Sequence, residues 1–241
     1  MKQLSDIELP LIDHVAELRK RLLTIVGVVI AGTIGSYIYI EKLIELLLAP
    51  VRDLEFIYLT PPELFLSYLK IALVVGVIIT SPIIFWNIWV FIVPGLKKDE
   101  KKYLGLSIFM GYFLFLLGGF FAYRIIIPIT IDFFVKLQTP IIQPQFSFGS
   151  YTGFISSILL SFGIVFELPI LIALLTKFNL LRAATLRKYR KYLIVVIFIV
   201  ASLLSPPDVI SQLLLAAPLL VLFEISVLIS SRIGKKKNKD D

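Results

Sequence analysis

Long apolar runs, broken by short charged or Pro/Gly-rich stretches, set the pattern of this chain. Six runs are candidates to cross a bilayer as helices: Leu22 to Ile40, Leu64 to Val93, Tyr103 to Tyr123, Thr152 to Thr176, Tyr192 to Leu204 and Val209 to Ser230. Most approach the roughly 20 residues that span about 30 Å of hydrocarbon. The predicted fold class is all-α, a polytopic membrane protein with six transmembrane helices in one domain over residues 1–231. Residues 232–241 read as a basic, polar and disordered tail.

Composition agrees. Hydrophobic residues make up 58% of the chain and charged ones 17%, with mean hydropathy +0.93. One soluble domain could not bury that much apolar surface. The segment from Arg124 to Lys136 is a tempting seventh span, but its apolar run of about 11 residues is too short.

Charge settles the topology. Of the 24 Lys and Arg, 19 lie in four clusters: Lys2 with Arg19 to Arg21, Lys97 to Lys102, Lys177 to Lys191, and Arg232 to Lys239. Six spans put all four clusters on one side. The positive-inside rule then predicts both termini in the cytoplasm. A seventh span would place the most basic loop outside. Leu22 onward lacks a small-residue cleavage site, so it reads as a retained span rather than a removable signal. The net charge of +7 is this topological bias, and no soluble basic domain supports nucleic-acid binding.

Pro10 to Leu23 carries Leu11, Ile12, Val15, Leu18 and Leu22 at helical spacing, which predicts an amphipathic helix over residues 10–21 on the membrane surface. Glu17 and Arg21 stand at i, i+4, placed to pair. The chain has one histidine, His14, and no cysteine, so thiol chemistry and Cys-based metal sites are excluded and His14 reads as an interfacial polar residue.

Thr60-Pro61-Pro62-Glu63 and Ser205-Pro206-Pro207-Asp208 share helix-start chemistry: a hydroxyl cap, Pro in the first turn and an acid that meets free N–H groups. The two halves of the chain show no repeat, which weakens an inverted-repeat transporter. The fifth span is about 13 residues, roughly 20 Å at 1.5 Å per residue, so it crosses with difficulty. Pro218 and Glu224 leave the sixth with a short uncharged stretch as well. Together they predict a short final hairpin that thins the bilayer or admits water.

Two acidic positions suggest chemistry. Glu167 lies inside the apolar run Ile158 to Leu175, two residues before Pro169. A carboxylate there costs about 2.5–3.5 kcal/mol on insertion scales, so it should face protein, water or a partner. An internal bond to backbone freed by Pro169 is the simpler alternative. Asp99 and Glu100 sit within Lys97-Lys98-Asp99-Glu100-Lys101-Lys102. They either pair within the loop or accept a cationic ligand, since carboxylates bind guanidinium groups through two parallel bonds.

In order along this frame stand His14-Val15-Ala16-Glu17-Leu18-Arg19-Lys20-Arg21-Leu22, Phe91-Ile92-Val93-Pro94-Gly95-Leu96 running to Glu100, Phe166-Glu167-Leu168-Pro169, Ser205-Pro206-Pro207-Asp208-Val209-Ile210-Ser211-Gln212, and Phe223-Glu224. With these motifs the chain resembles the TatC subunit of the twin-arginine protein translocase over nearly its whole length. The resemblance implies amphipathic N-terminal and outer-side interfacial helices, and a multi-pass protein of the bacterial cytoplasmic membrane. It implies a receptor, not an enzyme and without a cofactor, for folded precursors whose signal peptides carry paired arginines. Glu17 and Glu100 would face the arginines, with Arg19, Leu22 and Phe91 around them. Single-span TatA- or TatB-type partners would join it in a hetero-oligomer of several copies driven by the protonmotive force. Glu167 and Gln212 would meet those partners, and Pro50, Tyr123 and Asp208 would serve structural or outer-side roles.

Two other classes are weighed against this. A proton-coupled secondary transporter could use Glu167 as its proton site. An intramembrane protease fits poorly, without HExxH or a pair of embedded aspartates.

Overall fold

A computed structural model describes residues 2–51, 54–92, 104–137, 145–178, 180–204 and 209–240. Helix α1 (Lys2–Tyr37) carries the expected amphipathic segment directly into the first span. At Ile38–Tyr39 the chain bends by 84° into α2 (Ile40–Leu48), which a 3-10 turn, Ala49–Val51, ends. Strand β1 (Phe56–Ile57) then leads to α3 (Pro61–Ile92). Next come α4 (Leu104–Phe121), a π-helical turn Ala122–Ile126 and α5 (Ile127–Lys136). Strand β2 (Phe146–Ser147) precedes α6 (Phe148–Val165) and α7 (Leu168–Lys177). The chain continues through α8 (Ala183–Lys188), α9 (Arg190–Leu204) and α10 (Val209–Asp240).

Among the described residues, four segments are long and apolar enough to cross a membrane: Pro61–Phe91, Gly105–Lys136, Phe148–Lys177 and Gln212–Ile233; the bent pair from His14 to Val51 qualifies when taken together. Helix α9 has 15 residues, about 22 Å, the short length the sequence predicts for the fifth apolar run. Helix α10 differs from the short second arm expected. Its 22-residue span runs through Pro218, which removes one hydrogen bond without ending the helix, and Arg190 lies 2.6 Å from the Glu224 carboxylate. The backbone of α10 extends to Asp240, so most of the tail expected to be disordered continues the helix.

Two other spans depart from the simple runs in the sequence. Arg124 to Lys136 is not a separate crossing but the continuation of the third one. Pro128 cannot donate to the carbonyl four residues back, and the widened turn just before it absorbs that loss. The fourth crossing is broken at Phe166–Glu167, between α6 and α7. Pro169 stands in the first turn of α7, where its missing N–H would interrupt an unbroken ladder.

Helix α1 packs along α3, α6 lies against α3 and α4, and α10 packs on α7 and α9. The α1–α3 seam is backbone-close: a Cβ on Gly76 would stand 2.7 Å from the Thr33 nitrogen. The core gathers Ile127, Ile155, Ile158, Phe162, Leu215 and Leu219. Many large apolar side chains face outward, among them Leu203 at 81% and Ile79 at 63% exposure, as bilayer contact requires.

A feature the hydrophobic pattern does not suggest is the parallel pairing of β1 with β2, Phe56 opposite Phe146 and Ile57 opposite Ser147. It joins the segments that precede α3 and α6. Glu63 lies beside it and completes the predicted helix start, its carboxylate accepting from the N–H groups of Leu59 and Thr60. It also crosses to α6, accepting from the Ser147 hydroxyl and from the Gly149 N–H at 2.8 Å.

Candidate functional site

The end of the molecule where α1 begins and α3 finishes holds the first cluster. Because α1 is helical, His14, Glu17 and Arg21 share the face turned toward α3. The His14 imidazole stacks on Phe91, ring centroids 4.4 Å apart and planes 18° off parallel. Two turns along, the Arg21 guanidinium reaches Glu17 Oε1 at 3.4 Å and Asn87 Oδ1 at 3.3 Å. The expected i, i+4 pair therefore forms, and α3 adds a third member to it. Asn87 is 5% exposed, and its amide nitrogen donates to the Ile83 carbonyl at 2.9 Å. Glu17 and Arg21 are half-buried, with side-chain exposures of 34% and 29%.

Of the residues assigned to signal binding, Glu17 and Phe91 thus come to one place. Arg19 stands on another face of α1, lining a shallow depression with Val15, Lys20 and Leu23. Leu22 is exposed. Glu100 and Asp208 lie outside the described residues. Asn87 was not selected from the sequence, although a lone amide within the apolar Phe85-Trp86-Asn87-Ile88-Trp89 was the available signal.

Glu167 forms the second feature. It occupies the break between α6 and α7, where its backbone bonds to Ile164 and Leu171. Its carboxylate turns toward Gly111 of α4, where a Cβ would lie 2.9 Å from Oε2. The Oε1 atom is buried and has no hydrogen-bond partner among the described residues. Backbone does reach the carboxylate group, through the Phe115 N–H of α4. Beside the break, Phe166 lines an apolar groove of about 610 Å³ with Phe121, Ile126, Thr130, Leu214 and Pro218.

Gln212 lies elsewhere: its amide donates to the Phe198 carbonyl at 3.0 Å and ties α10 to α9. Among the described residues, no hydrogen bond joins it to Glu167. Pro50 belongs to the turn that ends α2. The Tyr123 hydroxyl donates to the Leu46 carbonyl, and Tyr151 donates to the Leu47 carbonyl at 3.0 Å. The Leu46 carbonyl also takes the Ala49 N–H of the closing turn, so Tyr123 uses its second lone pair, while the Leu47 carbonyl is one of the last four of the helix. Tyr123 and Tyr151 therefore anchor the end of α2, and Tyr151 was missed because a tyrosine in an apolar run gives no distinctive signal.

Residues 13–218 match the family described as Sec-independent protein translocase protein (TatC). A TatC of Carboxydothermus hydrogenoformans is 39% identical over 97% of this chain and 98% of its own length. One from Desulforapulum autotrophicum is 37% identical, covering 96% and 88% respectively. A crystal structure of the twin-arginine translocase receptor TatC in DDM superposes with a TM-score of 0.84 at 34% identity, over 90% of this chain and 99% of that one.

Proposed function

Because this chain belongs to the TatC family of Sec-independent protein translocase proteins, we propose that it is the signal-peptide receptor and core subunit of a twin-arginine translocase. The observation that carries this reading is the placement of Glu17. Its carboxylate is partly open to solvent at the α1–α3 junction, next to the His14–Phe91 stack, and already holds one guanidinium. A site that accommodates an internal arginine has the charge and shape for one from a peptide.

In this reading Glu17 and Glu100 receive the paired arginines of a folded precursor's signal, while Arg19 and Leu22 contact its flanks. The four basic clusters set the orientation, with both termini in the cytoplasm and the protein in the cytoplasmic membrane. Glu167 meets a polar group of a single-span TatA- or TatB-type helix, and the apolar groove beside it takes the apolar face of that helix. The buried, unpartnered Oε1 supports this, since a buried acceptor without a donor costs about 1–3 kcal/mol until one arrives. Gln212 ties α10 to the short α9 and holds that hairpin in the form the partners meet. Energy for export comes from the protonmotive force.

Binding of a fluorescent peptide with adjacent arginines to the full chain in nanodiscs tests the reading. The double variant Glu17→Lys, Glu100→Lys should insert normally and lose binding by at least about tenfold, the loss of one charged hydrogen-bonded contact. Normal affinity in that variant would overturn it. The same Oε1 favours a second reading, proton-coupled solute transport through Glu167. Flux of a small solute in proteoliposomes without partners would select that reading instead.

A further inference from the structure

Arg21 is shared between two acceptors of different kind. One is the Glu17 carboxylate on its own helix and the other is the Asn87 amide oxygen on α3. The Asn87 amide cannot rotate freely, because its nitrogen is committed to the Ile83 carbonyl at 2.9 Å. That commitment fixes the oxygen as the atom offered to Arg21. Both Arg21 contacts, 3.4 and 3.3 Å, are long compared with the roughly 2.7–2.9 Å of strong charge-assisted bonds. The two acceptors engage different guanidinium nitrogens, one bond each, and the Arg21 Nε is buried without a partner among the described residues. The guanidinium is thus held between two places and bound tightly at neither.

We propose that Asn87 is a positioning residue that receives Arg21 when an incoming guanidinium takes Glu17, so that Arg21 is an internal occupant of the arginine-binding carboxylate and Asn87 sets how readily it yields. The proposal rests on the reading of Glu17 as a guanidinium acceptor. A peptide arginine that approaches Glu17 in the forked geometry makes two bonds where Arg21 makes one. Arg21 then needs an acceptor, since a half-buried charge left without one is costly. Asn87 supplies it without adding a charge that would itself attract the ligand.

Peptide affinity across variants of the full chain in nanodiscs tests this, using an Arg-Arg peptide with a Lys-Lys peptide as comparison. Asn87→Asp should draw Arg21 toward α3 and tighten Arg-Arg binding, while Asn87→Leu should leave Arg21 on Glu17 and weaken it, each by about three- to tenfold, as expected for one hydrogen bond to a charged group. A merely structural role for Asn87 would move both variants in the same direction. In a Glu17→Gln background, Asn87→Asp should give no tightening; tightening there would show the new carboxylate to be the acceptor and would overturn the proposal. Arg21→Gln, which leaves α3 intact, should also tighten binding, and unchanged or weaker binding would count against the proposal whatever the folding of Asn87→Leu. If Glu17→Gln alone binds normally, the acceptor reading fails. If it weakens binding while the Asn87 and Arg21 variants are silent, only the present inference fails.

Discussion

The carboxylate of Glu167 and the missing side chain of Gly111 occupy the same space. A Cβ on Gly111 would stand 2.9 Å from Oε2, closer than such contacts tolerate, so α4 accommodates the acid only because this position is glycine. The atom in the way ends a flexible side chain, and it can move where a backbone could not. Gly111→Ala should therefore change thermal stability little, within about 1 kcal/mol, while turning the carboxylate out of its slot. Crosslinking from position 167 to a single-span partner should change in Gly111→Ala as much as in Glu167→Ala. An unaltered crosslinking pattern would show that the slot does not position the acid.

Gly76 presents the opposite case, because its obstacles are backbone. A Cβ there would lie 2.7 Å from the Thr33 nitrogen and 2.9 Å from the Gly32 carbonyl carbon, and neither can turn aside. Gly76→Ala should push α1 from α3 and lower stability by about 1–3 kcal/mol, the usual range for overpacking. The Glu17–Arg21–Asn87 cluster bridges the same two helices, so peptide binding should weaken together with the melting temperature. Full stability in detergent would contradict the tight seam.

Glu63 joins two loops by charge. Its carboxylate accepts from Leu59 at 2.6 Å, from Thr60 at 3.3 Å, from Gly149 at 2.8 Å and from the Ser147 hydroxyl. Glu63→Ala removes the acceptor for all four and should lower the melting temperature, because several modest bonds are lost with donors left open. Protease nicking between residues 137 and 148 should rise in parallel. Ser147→Ala removes one donor only and should have a clearly smaller effect.

Tyr123 and Tyr151 hold the last carbonyls of α2 from two different helices. Either Phe substitution should cost about 0.5–1.5 kcal/mol, one net hydrogen bond each. The double variant should release α2, which hydrogen exchange over residues 40–48 would detect as faster exchange than in either single variant. Exchange no faster than wild type would place the anchoring elsewhere.

The sequence by itself determined the membrane environment, the order of the helices and the Glu17–Arg21 pair, because these follow from local hydrophobicity and the 3.6-residue period. It also exposed the short α9, since length along a helix is a simple product of residue count and rise. The family motifs identified the family without any contact being known. Only the tertiary structure decided which side chains share a place. Asn87 looks like an ordinary polar interruption until α1 lies on α3, and Glu63 looks like a helix cap until β1 pairs with β2. The same holds for Gly111, whose meaning depends on an acid 56 positions away. Hydrophobic periodicity records which face of a helix is apolar, but lipid and neighbouring helices are equally apolar surroundings. A membrane sequence therefore carries little information about which faces meet, and packing against particular neighbours supplies it.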